Sequence, residues 1–309
     1  MASSQSVRVF ETIAQSEGGV DVLTEQAVSN LESAGYTVLG VRPSGMDGAC
    51  TGEAQVVSAV KLDALNPLFD LNERTAPYGL VDRIAVFRDE TGVYLSTIHP
   101  GSLLRTVFMD NDGVEDVAAE RRTVLREALG ATMAREYGQN RQKGHIGKTM
   151  GVIAGGPFDE KIGVVGSAEG ISVKEAADRI MAGFGESDME WGMEIAYRLD
   201  LEDRGIAILG VTSVEMEARS FAIVGAGSDK ERKNIACAGS AYAAAYPIEL
   251  VVSEQDGRVV IESVDAMYRM KLFFEDAAKW AFMKNMTMPG SLASEIKGRL
   301  ESALANAEM

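Results

Sequence analysis

Cysteine, histidine and tryptophan are scarce, with two of each in 309 residues. Two cysteines, Cys50 and Cys237, are too few for a disulfide framework, and reduced thiols in a cytoplasmic protein are the expectation. Neither histidine, His99 or His145, is followed by His or Cys at ligand spacing, which excludes a dedicated zinc site. No apolar run approaches the about eighteen residues that a membrane helix needs. The opening residues MASSQSVRVFETIAQ contain no apolar core of signal-peptide length. Positive charge is short as well. Thirty Lys and Arg face 46 Asp and Glu, for a net charge of −16. A chain this acidic is repelled by phosphate backbones, which excludes general nucleic-acid binding. The one basic cluster, residues 135–148, reads as a linker.

What is present is the composition of a soluble globular protein, long enough for two domains with separate cores. Residues 248–274, IELVVSEQDGRVVIESVDAMYRMKLFF, lie without a gap over residues 82–108 after a shift of 166. Like residues meet at Ile84/Leu250, Val86/Val252, Val93/Val259, Leu95/Ile261, Ile98/Val264 and Phe108/Phe274, with His99 over Asp265. The same shift carries Gln55 to Phe221. A constant offset of this length points to an internal duplication. The expected organisation is a first repeat over 1–140, a linker over 141–147, and a second repeat over 148–309 with an insertion near 183–204.

In the first half the pattern predicts strands at 7–12, 36–41 and 54–60, and a helix over 20–34 stopped by Gly35. A short helix interrupted by Pro67 leads to a hairpin over 84–98. Pro100 opens a helix, and a second amphipathic helix begins at Val114 and runs towards Tyr137. The second half predicts strands at 149–154 and 161–165. Ser172, with Glu175 three residues on, caps a helix. A further helical piece covers 189–201, and GIAILGV at 205–211 answers GYTVLGV at 35–41. A strand at 221–224 runs into Gly225-Ala226-Gly227, and a polar helix starts at Asp229. The hairpin turning at Gln255-Asp256-Gly257, a helix over 266–282 and a terminal helix through Leu292, Ile296 and Leu300 close the chain.

This order, with VVIESVDAMYRMKLFF through PGSLASEIKGRLESAL and its first-half copy YLSTIHPGSLLRTVF through VAAERRTVLREAL, resembles the domain of unknown function 302 family twice over. The resemblance implies an α+β fold: two units of curved antiparallel sheet with helices on one face, in the order strand-helix-four-strands-helix. Single-copy members tend to pair, so it also implies a covalent pseudo-dimer with approximate twofold symmetry. Where members carry Asn-Pro after the third strand, sometimes preceded by Cys, this chain has Val60-Lys61-Leu62 and Ala226-Gly227-Ser228. A cysteine-based role does not carry over.

The chemistry-bearing candidates each have a plain structural reading. Gly225-Ala226-Gly227-Ser228 has too few glycines for a dinucleotide fingerprint, and acidic residues follow it. His99 and Asp265, at equivalent places in the two repeats, are an acid/base pair if they meet and helix caps if they do not. Cys237, among Ala and Gly, reads as a small buried hydrophobe, and the neighbours of Cys50 are acidic. Met267, Met270, Met283, Met286 and Met288 crowd the last quarter and suit an apolar pocket or core. The hairpin strands are apolar on much of both faces, more than one layer of helices requires. The uncovered faces of the repeats are therefore expected to join, with any ligand at the strand ends carrying Tyr78, His99, Tyr246 and Asp265. The functional expectation is a soluble, non-enzymatic binding or accessory module for a small apolar ligand or a protein partner. The rivals are an enzyme using His99 and Asp265 and a structural subunit of a larger assembly. Ligand, cofactor and oligomeric state stay open.

Overall fold

The computed structural model describes residues 6–46, 52–109, 111–141, 155–185, 189–225, 237–274 and 285–305. The first half runs β1 (Val7–Ser16), α1 (Val20–Ser33), β2 (Thr37–Pro43), β3 (Ala54–Val60), α2 (Asn66–Leu71), β4 (Asp82–Asp89), β5 (Gly92–Ile98), α3 (Pro100–Phe108), α4 (Val114–Ala128) and β6 (Arg135–Arg141). The second runs β7 (Ile162–Ala168), α5 (Val173–Gly183), β8 (Glu194–Leu201), β9 (Ile206–Thr212), α6 (Val214–Gly225), β10 (Ile248–Gln255), β11 (Arg258–Val264), α7 (Ala266–Phe274) and α8 (Met288–Ala305). This is an α+β fold with two antiparallel sheets and helices.

The first sheet has the order β2-β3-β4-β5-β1-β6 and the second β7-β11-β10-β9-β8. Without β6, both read first, fifth, fourth, third, second strand of their half. Two register breaks also recur. β1 bulges between Thr12 and Ala14 opposite Ser96 and Leu95, and β7 bulges opposite Glu262 and Ile261. β2 bulges between Val38 and Gly40 against β3, and β8 between Ile195 and Tyr197 against β9. Bulges fix strand twist and register, so their recurrence belongs to the architecture. The turn joining β10 to β11 has Asp256 at φ 52° and Gly257 at φ 77°, the left-handed pair that a two-residue hairpin demands.

The shift of 166 holds across β4, β5 and α3 but not upstream. Ser58 of β3 lies opposite Arg83, and Gly210 of β9 lies opposite Glu249, so these strands correspond at a shift of 152. Phe221 is in α6, not in a strand matching Gln55. GYTVLGV forms edge strand β2, while GIAILGV forms interior strand β9, so their likeness is one of composition and not of place. The second half is longer at 184–193 and at 213–247, where the first half has 34–36 and 61–81.

Several local readings are also corrected. Residues 194–201 are β8 rather than helix, and Ile195, Tyr197, Leu199 and Leu201 do alternate. Residues 221–224 are helical because Ser213 starts α6, its Oγ accepting from Met216 N at 3.2 Å. α4 stops at Ala128, and Tyr137 lies in β6 beside β1, so 138–141 are strand and not linker. Cys237 has φ 59° and precedes a 3-10 stretch, Ala238–Ala245. It is disulfide-bonded, which the reading of free thiols missed. The chain's other cysteine, Cys50, lies outside the described residues, but first-half residue Gly52 sits against Cys237. The expectation of a cytoplasmic protein rested on free thiols, which this bridge does not support. His145, the 142–147 part of the linker, the strand at 149–154, Trp280, Met283, the turn at 226–228 and the helix from 229 also lie outside the described residues.

The central strands of each sheet are buried on both faces. On one face of the first sheet, Val57, Ile84, Val86 and Leu95 pack with Leu23, Ala27 and Leu31 of α1 and Leu125 of α4. On the other, Phe10, Val56, Phe87, Tyr94 and Ile98 join one continuous core with residues of the second half. The 3-10 stretch Ala238–Ala245 fills the centre of that joint. Tyr242 meets Phe10 edge-on at 5.1 Å and Tyr137 at 5.7 Å, and the Tyr137 hydroxyl donates to Ala241 O.

Candidate functional site

At the centre of the joint, Arg83 of β4 meets Glu249 of β10, with Nη1 to Oε1 at 2.7 Å. These residues occupy equivalent places in the two sheets. Arg269 of α7 adds a second cation 3.5 Å from the same carboxylate. Both guanidiniums donate to Ala245 O and Pro247 O, and both lie over the Phe273 ring, at 5.2 Å and 5.0 Å. Burial is severe enough to bring the Arg269 pKa down to about 10. Charged groups stripped of water so completely need an opposite charge, and the two carbonyls take up further Nη donors, while Arg83 Nε is left without a hydrogen-bond partner among the described residues. A second buried carboxylate spans the halves. Glu217 of α6 accepts from Ser44 Oγ at 2.5 Å, Gly45 N at 2.7 Å, Arg42 and Thr212. The joint is thus filled by aromatic rings and buried ion pairs.

The four residues expected at a ligand site have separate tasks. His99 caps α3, its Nδ1 accepting from Gly101 N at 3.0 Å, which leaves the proton on Nε2, 3.6 Å from Glu136 Oε1. Burial, then the Arg122 charge, lowers its pKa. Asp265, exposed, caps α7 by accepting from Tyr268 N at 2.8 Å. Tyr78 packs edge-on against Phe158, which in turn meets Tyr268, so Tyr78 and the Asp265 cap are neighbours through two rings. The Tyr78 hydroxyl has no hydrogen-bond partner among the described residues, and burial raises its pKa well above the ordinary phenol value. Tyr246 bonds Ser220 Oγ at 2.6 Å, and burial pushes its pKa up to about 12. Both His99 and Asp265 are spent on helix capping.

Space for a ligand lies beside the last helix of each half, at corresponding places. In the first, a cleft of about 270 Å³ opens between α4, the start of β4 and the 61–68 connection after β3. In the second, Tyr246 and Ile248 stand where the first cleft has Leu80 and Asp82, and only about 40 Å³ is left, among Met270, Phe274, Met288 and Leu292.

The first cleft has an apolar wall, from Leu65, Leu68, Leu80, Val117 and Val124, and a charged rim. Asp82, the first residue of β4, is buried, and that burial raises its pKa despite Arg121. Arg121 of α4 holds it with Nε at 3.1 Å while its Nη atoms donate to Gly79 O and Leu80 O. Opposite, Lys61 donates to Ala34 O at 3.1 Å, pairs with Asp63 at 3.3 Å and lies 5.5 Å from the centre of the Tyr36 ring. Burial, then the Asp82 charge, raises the Tyr36 pKa. Among the described residues, no group of three or more His, Cys, Asp or Glu is placed to hold a metal ion. No described helix is long and apolar enough to cross a membrane. Sequence reading singled out none of this cleft. Its one signal was the Val60-Lys61-Leu62 departure after the third strand, of which Lys61 lines the cleft.

No family model matches the chain. No curated protein matches it either. Two solved chains do, one being the crystal structure of the uncharacterized conserved protein DUF302 from Bacillus stearothermophilus. It is 13% identical, with a TM-score of 0.32, over 42% of this chain and 98% of that chain.

Proposed function

We propose that this chain is a soluble, non-enzymatic binding module made of two repeated units of the domain of unknown function 302 kind, with its ligand site in the first-unit cleft. The repeated strand order and the two recurring bulges support the duplication. On this reading the open sheet faces that separate copies would bury in a dimer are buried within one chain, and the joint is a frame rather than a site. The observation that carries the reading is the cleft itself: about 270 Å³ of space with an apolar wall and a buried carboxylate, where the other unit keeps about 40 Å³. Ligand sites generally have this make-up, a largely apolar surface with a few placed polar groups.

The test is a fragment library screened by protein-observed NMR. Shifts are expected to cluster on Tyr36, Lys61, Leu80 and Val117. Hits that gather instead around Phe273 in the joint, or an absence of shifts at the cleft, would reject this site.

A further inference from the structure

The charges around the first-unit cleft narrow what it can hold, given the binding reading above. The two cations on its rim are already committed. Arg121 places all three nitrogens on Asp82 and on the carbonyls of Gly79 and Leu80. Lys61 divides its ammonium among Ala34 O, Asp63 and the face of the Tyr36 ring. An incoming anion would find no free donor fork. Acceptor capacity is different. A carboxylate offers about four lone-pair sites, and Arg121 fills only part of that on Asp82. Asp63 is largely exposed towards solvent.

Counting charge leads the same way. Arg121 cancels Asp82 and Lys61 cancels Asp63, which leaves Glu120, exposed on α4 at the rim, as the uncompensated group. An unpaired carboxylate at the rim favours a cation over an anion, and because it is exposed and screened it adds to the attraction at Asp82 rather than replacing it. The chain's net charge of −16 steers diffusing ligands to the same preference. The walls set the rest of the molecule: the apolar side chains accept a short hydrocarbon body.

We propose that the cleft takes a small organic cation with an apolar body, an alkylamine or alkylguanidine, its head between Asp82, Asp63 and Glu120 and its chain against Leu68, Leu80 and Val117. Asp82 is the innermost of the three carboxylates and sets orientation, while Asp63 and Glu120 add attraction from the rim. The second unit, with Ile248 in the place of Asp82, takes no such head group.

The test titrates the full-length protein with three probes of one length, hexylamine, hexanol and hexanoate, by isothermal calorimetry. Hexylamine is expected to bind at least tenfold more tightly than hexanol, and hexanoate more weakly than either. Asp82→Asn is expected to weaken hexylamine about tenfold and leave hexanol unchanged. Since Asp82→Asn also disturbs Arg121, the surface pair Asp63→Asn with Glu120→Gln gives an independent check. It is expected to weaken hexylamine several-fold and strengthen hexanoate. Hexanoate or hexanol binding as tightly as hexylamine would overturn the cation preference and leave the cleft standing as a site. Failure of all three probes to bind would count against the cleft itself.

Discussion

Asp82 and Ile248 begin corresponding strands, and Leu80 and Tyr246 stand two residues before them. Around the first pair the chain leaves a cleft of about 270 Å³ with charged groups on its rim. Around the second it places a tyrosine bonded to Ser220, and Met270 and Met288 line the small space that is left. One frame therefore serves two ends, one open and polar, the other nearly closed and apolar. The centre differs in the same way. Separate identical copies related by a twofold would set residue 83 against its own copy, arginine against arginine. In this chain the equivalent position holds Glu249, and the two residues form a buried ion pair. On the proposed duplication, joining two units relieves each of the need to be self-complementary.

The largest effect should come from the centre. Glu249→Ala strands Arg83 and Arg269 without a counter-charge and is expected to cost about 3–5 kcal/mol in urea unfolding. Replacing Arg83 and Glu249 together by Met and Leu should cost clearly less than the sum of the single changes. Additive losses would mean that the two residues do not act as a pair.

Next is the bridge at Cys237. Alkylation without reductant should label neither cysteine, and reduction should label both and lower stability by about 2–4 kcal/mol. Full labelling of native, unreduced protein would remove the bridge from the account.

A smaller effect separates Tyr246 from Tyr78. Tyr246→Phe gives up the bond to Ser220 and is expected to cost about 1 kcal/mol, whereas Tyr78→Phe, whose hydroxyl is unpartnered, should cost nothing or stabilise slightly. Equal losses would erase that distinction.

The smallest concerns the two caps. His99 is held below its ordinary pKa, so the neutral form is favoured by folding. Its stabilisation is complete above 6.5 and is lost as pH falls through 6.5 towards the folded value. His99→Asn keeps a capping acceptor that does not titrate. The wild type should therefore lose Tm relative to this variant on acidification from pH 7.5 to 5.5, and parallel Tm curves would contradict the buried neutral cap.

Much of this frame was legible. The hairpin of β10 and β11, Pro100 at the first turn of α3 and Ser172 as the cap of α5 came from turn and cap chemistry, which acts over a few residues. The pairing of apolar sheet faces followed from strands apolar on both sides. β8 was misread although its alternation was plain, because the Met and Glu residues before it continue a helical run. The place of GIAILGV was misassigned because half-exposed edge strand β2 and buried interior strand β9 have similar compositions. The cleft was invisible for a different reason. Tyr36, Lys61, Asp82 and Arg121 come from four separate stretches, and none is unusual until the fold brings them together. Glu217 gave no hint either, since its donors Ser44 and Gly45 come from the other half of the chain.

The central claim is that the open end binds and the closed end does not. A crystal structure of the protein soaked with hexylamine tests it most directly. The account predicts one molecule per chain, its nitrogen within hydrogen-bond distance of Asp82 and its carbons against Leu80 and Val117. A molecule lodged beside Tyr246 and Met288, with the Asp82 cleft empty, would contradict it.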